Sequence, residues 1–109
     1  MSLTILVVTS EYYRTIEIRN LSTEAGLDAT IIGCFRDYHF THRIADADIV
    51  IGDGTCKTRG DDGVSYPILF DAGQRAKKLN LPFIQISKPD RSLRSNRIRR
   101  QLKRAAASL

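Results

Sequence analysis

Leu3-Thr4-Ile5-Leu6-Val7-Val8-Thr9 is an unbroken apolar run rich in β-branched residues, followed at once by Ser10-Glu11 and a helical pattern. A run that does not alternate with polar residues fits a strand covered on both faces, as in a parallel sheet. The spacing after it predicts a helix over 11–25, with Ser10 as N-cap, Glu11 in the first turn, and Ile18, Leu21 and Ala25 on one face. Gly26 stands where a left-handed helix terminator belongs. Residues 27–33 read as a second strand, 48–52 as a third and 82–87 as a fourth, while 34–45 read as irregular or a short helix. Pro67 opens a helix with Ile68/Leu69, Ala72, Ala76 and Leu79 along its apolar face. Strands alternating with helices imply right-handed crossovers. The expectation is one α/β domain over residues 1–109, a small doubly wound parallel sheet of order 2-1-3-4 ending in a basic helix over 88–109.

The totals agree with this class. A chain of 109 residues with 42% hydrophobic content can bury one core. No stretch approaches the roughly 18 apolar residues needed to span a membrane, so no membrane partner is expected. The start, Met1-Ser2-Leu3-Thr4, has neither a basic lead nor a small-residue cleavage site, so no signal peptide is expected. Two cysteines at unpatterned positions point to a reducing compartment. A cytoplasmic location follows as an expectation. The net charge of +5 hides a division within the chain: residues 1–87 hold 9 Lys/Arg against 11 Asp/Glu, and residues 88–109 hold 8 against 1.

In open parallel sheets, ligands bind beyond the carboxyl ends of the strands, where strand order reverses. That rule gathers Ser10-Glu11, residues 33–36, residues 53–65 and Ser87-Lys88. The stretch Asp53-Gly54-Thr55-Cys56-Lys57-Thr58-Arg59-Gly60-Asp61-Asp62-Gly63-Val64-Ser65 stands out because it exceeds the usual connection of about two to six residues. Its glycines allow tight turns and its aspartates present carboxylates. A solvated surface loop with Asp-Gly turns is the plain alternative. No glycine-rich sequence follows the first strand, so there is neither a dinucleotide fingerprint nor a P-loop. His39 and His42 with Asp37 lack the further ligands of a metal site, and Cys34 and Cys56 have no evident base beside them. Neither a metal nor a cofactor is expected. Receiver domains share the strand order but carry paired acids after the first strand, where this chain has Ser10-Glu11.

Ala45-Asp46-Ala47-Asp48-Ile49-Val50-Ile51-Gly52-Asp53-Gly54, then Asp61-Asp62-Gly63-Val64-Ser65, then the run from Phe70-Asp71-Ala72-Gly73 to Pro82-Phe83-Ile84 together resemble the nucleoside 2-deoxyribosyltransferase family, whose superfamily includes nucleotide N-glycoside hydrolases. The similarity covers residues 45–86. It implies a Rossmann-like (flavodoxin-like) domain that binds a nucleoside or nucleotide and cleaves or exchanges the bond between base and deoxyribose. The family's helix glutamate, its nucleophile, aligns with Asp71. Its loop acid would be matched by Asp53, Asp61 or Asp62, with Gly54, Gly63 and Ser65 of the same loop lining the ligand and Ser10 joining them by its place at the end of the first strand. A carboxylate attacking the anomeric carbon while a second acid protonates the departing base is coherent chemistry. The resemblance also implies a homodimer in which a partner completes the site. The ordinary reading of Asp71 is an acid in a helix paired with Arg75 four residues on. The alternatives are a binding or sensing module without turnover, and a nucleic-acid- or protein-binding domain acting through the basic helix over 88–109.

Leu93, Ile98, Leu102, Ala105 and Leu109 recur at approximate helical spacing in the basic tail, and Arg94, Arg97, Arg100, Lys103 and Arg104 occupy much of the remainder. The functional reading is a surface for phosphates, either of a nucleotide or of a nucleic acid. The plain one is an amphipathic helix packed on the sheet with a solvated outer face. With no aromatic residue after 87, base stacking by the tail is not expected.

Overall fold

The protein is represented by a computed structural model that describes residues 3–9, 11–34, 43–54, 66–87 and 96–109, with the main chain only at 34 and 66–70. In chain order the elements are β1 (Leu3–Val8), α1 (Tyr12–Glu24), β2 (Ala29–Cys34), a short 3-10 turn (Ile44–Asp46), β3 (Ile49–Asp53), α2 (Tyr66–Lys78), β4 (Phe83–Ile86) and α3 (Asn96–Ala107). The strands form a parallel sheet of order β2-β1-β3-β4. This is the doubly wound α/β fold expected from the apolar run of β1.

That run is continuous because its two sets of side chains serve two cores. Ile5 and Val7 join Ile49, Ile51, Ile84 and Ile86 on one face, under Ile18 and Leu21 of α1 and Ile98, Leu102 and Ala105 of α3. Leu6 and Val8 join Val50 on the other face, under Ala72 and Ala76 of α2 and Ile44 and Ala47 before β3. The topology dictates this division. From the central pair β1–β3, the chain steps outward to β2 in one direction and to β4 in the other. Right-handed crossovers therefore send α1 and α2 to opposite faces. Each fully buried Ile, Leu or Val contributes about 1.5–3 kcal/mol relative to exposure, and the central strands are buried along most of their length.

Several boundaries differ from the sequence expectation, each for a local reason. The third strand runs one residue later. Asp48 is instead fixed to the start of β1: its Oδ2 accepts the Thr4 N–H at 2.8 Å, and its own N–H donates to the Thr4 carbonyl at 2.8 Å. Glu11 is the N-cap of α1 rather than part of its first turn and makes no side-chain cap bond. The neighbouring Thr9 hydroxyl accepts the Glu11 N–H at 3.1 Å. Ser10, the expected N-cap, lies outside the described residues. Gly26, at φ +76°, does end α1 in the left-handed conformation.

Leu79, expected on the buried stripe of α2, is 47% exposed. The helix stops at Lys78 and Asn80 turns the chain with φ 57°. The Leu81 N–H then closes on the Ala76 carbonyl at 2.8 Å, and Leu81 packs against the core in place of Leu79. Leu109 is likewise exposed beyond the end of α3, and Leu93 lies outside the described residues.

Candidate functional site

The register of the two central strands sets Val8 beside Gly52, so the next residues, Thr9 and Asp53, emerge side by side at the carboxyl edge. Both are fully buried. The Thr9 hydroxyl donates to Asp53 Oδ2 at 2.8 Å, and Arg14 Nε, from the first turn of α1, donates to the same oxygen at 3.1 Å. Arg14 is itself 1% exposed, and its Nη1 reaches Glu17 Oε2 at 3.4 Å. An isolated carboxylate in this position would be prohibitively unfavourable, and a guanidinium beside it is the usual compensation. Thr9 uses its hydroxyl both ways, accepting from Glu11 N–H and donating to Asp53. The start of α1 is thereby fixed to the ends of β1 and β3, where strand order reverses.

On α1 the Tyr13 ring lies beside this buried pair, while Tyr12 and Ile16 fall on the side of the helix away from Arg14. Tyr12, Tyr13 and Ile16 are 67%, 50% and 42% exposed. The Arg14 guanidinium carbon lies 5.3 Å from the centre of the Tyr13 ring, within cation–π range. Burial pushes the Tyr13 phenol above its ordinary pKa of 10.0; Arg14 opposes the shift, and Asp53, Glu11 and Glu17 add to it.

Gly54 has a packing role at the same edge. Its N–H donates to the Ile86 carbonyl at 2.8 Å, and a Cβ built there would fall 2.6 Å from that same oxygen. Only glycine lets the chain leaving β3 approach the end of β4 so closely.

Asp53 and Gly54 are thus the sequence-derived site residues that the structure brings together. Asp71 sits on α2, 51% exposed, its Oδ2 accepting Arg75 Nε at 3.1 Å. That is the surface ion pair anticipated as the ordinary reading of Asp71. Arg97, Arg100, Lys103 and Arg104 lie on α3, which covers the opposite face of the sheet from α2. Arg97 Nη2 donates to the Gln85 carbonyl of β4 at 2.9 Å, so its head is engaged with the sheet. Ser10, Asp61, Asp62, Gly63, Ser65 and Arg94 lie outside the described residues, as do Asp37, His39, His42 and Cys56. Among the described residues no group of three His, Cys, Asp or Glu is placed to hold a metal ion, and no helix is long and apolar enough to cross a membrane.

Sequence reasoning missed Arg14 and Thr9. The signal for Arg14 was present: it precedes Ile18 by four residues and Leu21 by seven, which places it on the buried stripe of α1.

The chain matches no protein-family model and no curated protein. Two solved structures are similar to it in shape. A de novo designed Rossmann fold protein is 19% identical, with a TM-score of 0.51 over 90% of this chain and 96% of its own. A putative pilus assembly-related protein from Burkholderia pseudomallei is 21% identical, with a TM-score of 0.53 over 96% of this chain and 90% of its own. The likeness is one of fold. Strand order and helix placement agree with it: the chain is a doubly wound, Rossmann-like α/β protein.

Proposed function

We propose that this chain binds a nucleoside or nucleotide at the carboxyl edge of its sheet, over the junction of β1 and β3. The observation that carries this reading is the fully buried Thr9–Asp53–Arg14 cluster at the point where strand order reverses. Doubly wound sheets take ligands at that point, and buried charged groups with specific partners concentrate at such sites. The exposed ring of Tyr13 beside it supplies a flat apolar face on which a base can stack. The resemblance of residues 45–86 to the deoxyribosyltransferases names the same ligand class.

Asp71, the residue that would carry glycosidic chemistry, stands half-exposed in an ion pair with Arg75. The reading therefore rests on binding, and release of a base is a separate outcome. The test is thermal denaturation of the full chain with a panel of nucleosides and nucleoside mono-, di- and triphosphates. A ligand at about a hundred times its Kd stabilises the folded state by about 2.7 kcal/mol. Stabilisation is expected for at least one member and should weaken in Tyr13→Ala, whose ring is at the surface. If no nucleoside or nucleotide shifts the transition, the proposal fails. Chromatography of the same mixtures for free base, with Asp71→Asn as the paired variant, decides whether binding is accompanied by cleavage.

A further inference from the structure

Helix α3 presents to solvent a run of cations of which its packing, among the described residues, engages only Arg97 and Arg99. Ile98, Leu102 and Ala105 are buried against the sheet and α1. On a helix these residues share one side, so Asn96, Arg100, Lys103 and Arg104 fall on the other, and all four are exposed. Arg99 flanks them at 38% exposure, its Nη2 only 3.9 Å from Glu24 Oε2 on α1. Arg97 is set apart by its bond to Gln85. No acid occurs between Asn96 and Ala107. Four cations thus stand within about two turns, with neighbours at i+3 and i+4 roughly 6 Å apart.

The shape of this surface separates the anions it could hold. Asn96, Arg99, Arg100 and Lys103 line an open groove of ≈ 340 Å³, and these described lining residues all belong to α3. A small phosphorylated ligand is normally enclosed over most of its surface, whereas this groove is open to solvent. A repeating polyanion laid across the helix satisfies the same cations without enclosure. Arginine predominates, and its planar fork matches phosphate oxygens in pairs. Exposed aromatic rings, which a single strand would need for stacking, are absent from α3. Large exposed apolar anchors for a lipid surface are also absent between Asn96 and Ala107.

We infer that the outer face of α3, through Arg99, Arg100, Lys103 and Arg104, binds double-stranded nucleic acid by its phosphate backbone. This surface is independent of the β1–β3 edge, and either can fail without the other. Contact with four phosphates gives a slope of about −3.6 for the logarithm of affinity against the logarithm of salt. Affinity then falls about 150-fold between roughly 50 and 200 mM salt.

The experiment is fluorescence anisotropy of the full chain with a labelled, mixed-sequence duplex of about 20 base pairs across that range. The triple variant Arg100→Gln, Lys103→Gln, Arg104→Gln should retain the far-ultraviolet circular dichroism of the wild type. Its slope should shrink to about −0.9, an affinity loss of only about 3- to 4-fold over the same interval. A second triple variant removes the same charge from α2 on the opposite face: Arg75→Gln, Lys77→Gln, Lys78→Gln. It should keep the wild-type slope. The inference is overturned by a wild-type slope shallower than about −2 or by equal losses in the two triple variants. It is also overturned by tighter binding to a single strand of the same length, or to vesicles containing phosphatidylserine, than to the duplex.

Discussion

Asp53→Asn and Arg14→Met, made singly and together, probe the buried pair most directly. Asp53 is fully buried and Arg14 is 1% exposed, so removing either charge leaves the other away from water without its main partner. Breaking a buried pair from one side costs about 3–5 kcal/mol. Arg14 has a second acid, Glu17, at 3.4 Å and 29% exposed, toward which its guanidinium can relax. That argues for the lower end, about 3 kcal/mol, in Asp53→Asn. Arg14→Met leaves a carboxylate held by the Thr9 hydroxyl and should cost about 4 kcal/mol. The double variant carries neither charge, and its loss should be only about 1–2 kcal/mol, because a neutral replacement of a buried pair is often tolerated.

The cycle therefore closes with a coupling of about 5–6 kcal/mol, well beyond the roughly 0.5 kcal/mol within which independent sites add. Urea denaturation provides the measurement. With a slope of about 1.5 kcal/mol/M, each single variant lowers the midpoint by about 2–3 M and the double variant by about 1 M. A chain of 109 residues has a total stability of about 5–15 kcal/mol, so both single variants should be measurable but marginal. Arg14→Lys should not restore stability, since lysine lacks the Nε donor that meets Asp53. Additive losses, or an Arg14→Lys variant as stable as the wild type, would refute the account of this edge as a dry, paired charge cluster.

Gly54→Ala should lower stability by about 1–3 kcal/mol, because the new methyl meets a backbone carbonyl that cannot turn aside; an unchanged melting temperature would contradict the close approach to Ile86. Asp71→Asn should change stability by less than about 1 kcal/mol, as an exposed pair with Arg75 allows, and leave nucleotide-induced stabilisation intact in the same melts. The phenol of Tyr13 should ionise above pH 10.0 in a spectrophotometric titration. Because its pKa is raised on folding, its contribution to stability is present below that pH and lost as pH rises through the folded value. Tyr13→Phe should therefore flatten the alkaline limb of the stability profile, and an unaltered limb would count against the shift.

The doubly wound sheet was legible because β1 announces burial on both faces, and Ile5/Val7 and Leu6/Val8 divide as an alternating strand must. The edge that carries the Thr9–Asp53–Arg14 cluster was singled out by topology, and Asp53 by its place after an apolar strand. Its role was not legible. An aspartate read as the first residue of a polar loop is the last residue of β3, and what holds it there is an arginine thirty-nine positions earlier. Pairwise contacts at such separation leave no local pattern. The only trace was the placement of Arg14 on the stripe of Ile18 and Leu21. Gly54 looked like a residue permitting ligand approach, yet it is required by the carbonyl of Ile86. Leu79 illustrates a third kind of miss: helical spacing continues past Lys78 in the sequence, but the left-handed Asn80 ends the helix and hands the buried position to Leu81.

The bond from Arg97 to Gln85 also bears on how molecules of this protein avoid one another. The N–H groups of Val50 on β3 and of Gly54 just after it meet the carbonyls of Pro82 and Ile86, so the carbonyl of Gln85, next to Ile86, points away from the sheet. Among the described residues no strand pairs with that margin, and a neighbouring chain adding a fifth strand would meet it. Arg97 covers that carbonyl with a guanidinium, placing a positive charge on this margin of β4, where a second copy would bring its own. The helix that follows the last strand thus doubles as a guard rail against edge-to-edge strand pairing, and loss of Arg97 should show itself in the onset of aggregation before it shows in the melting temperature.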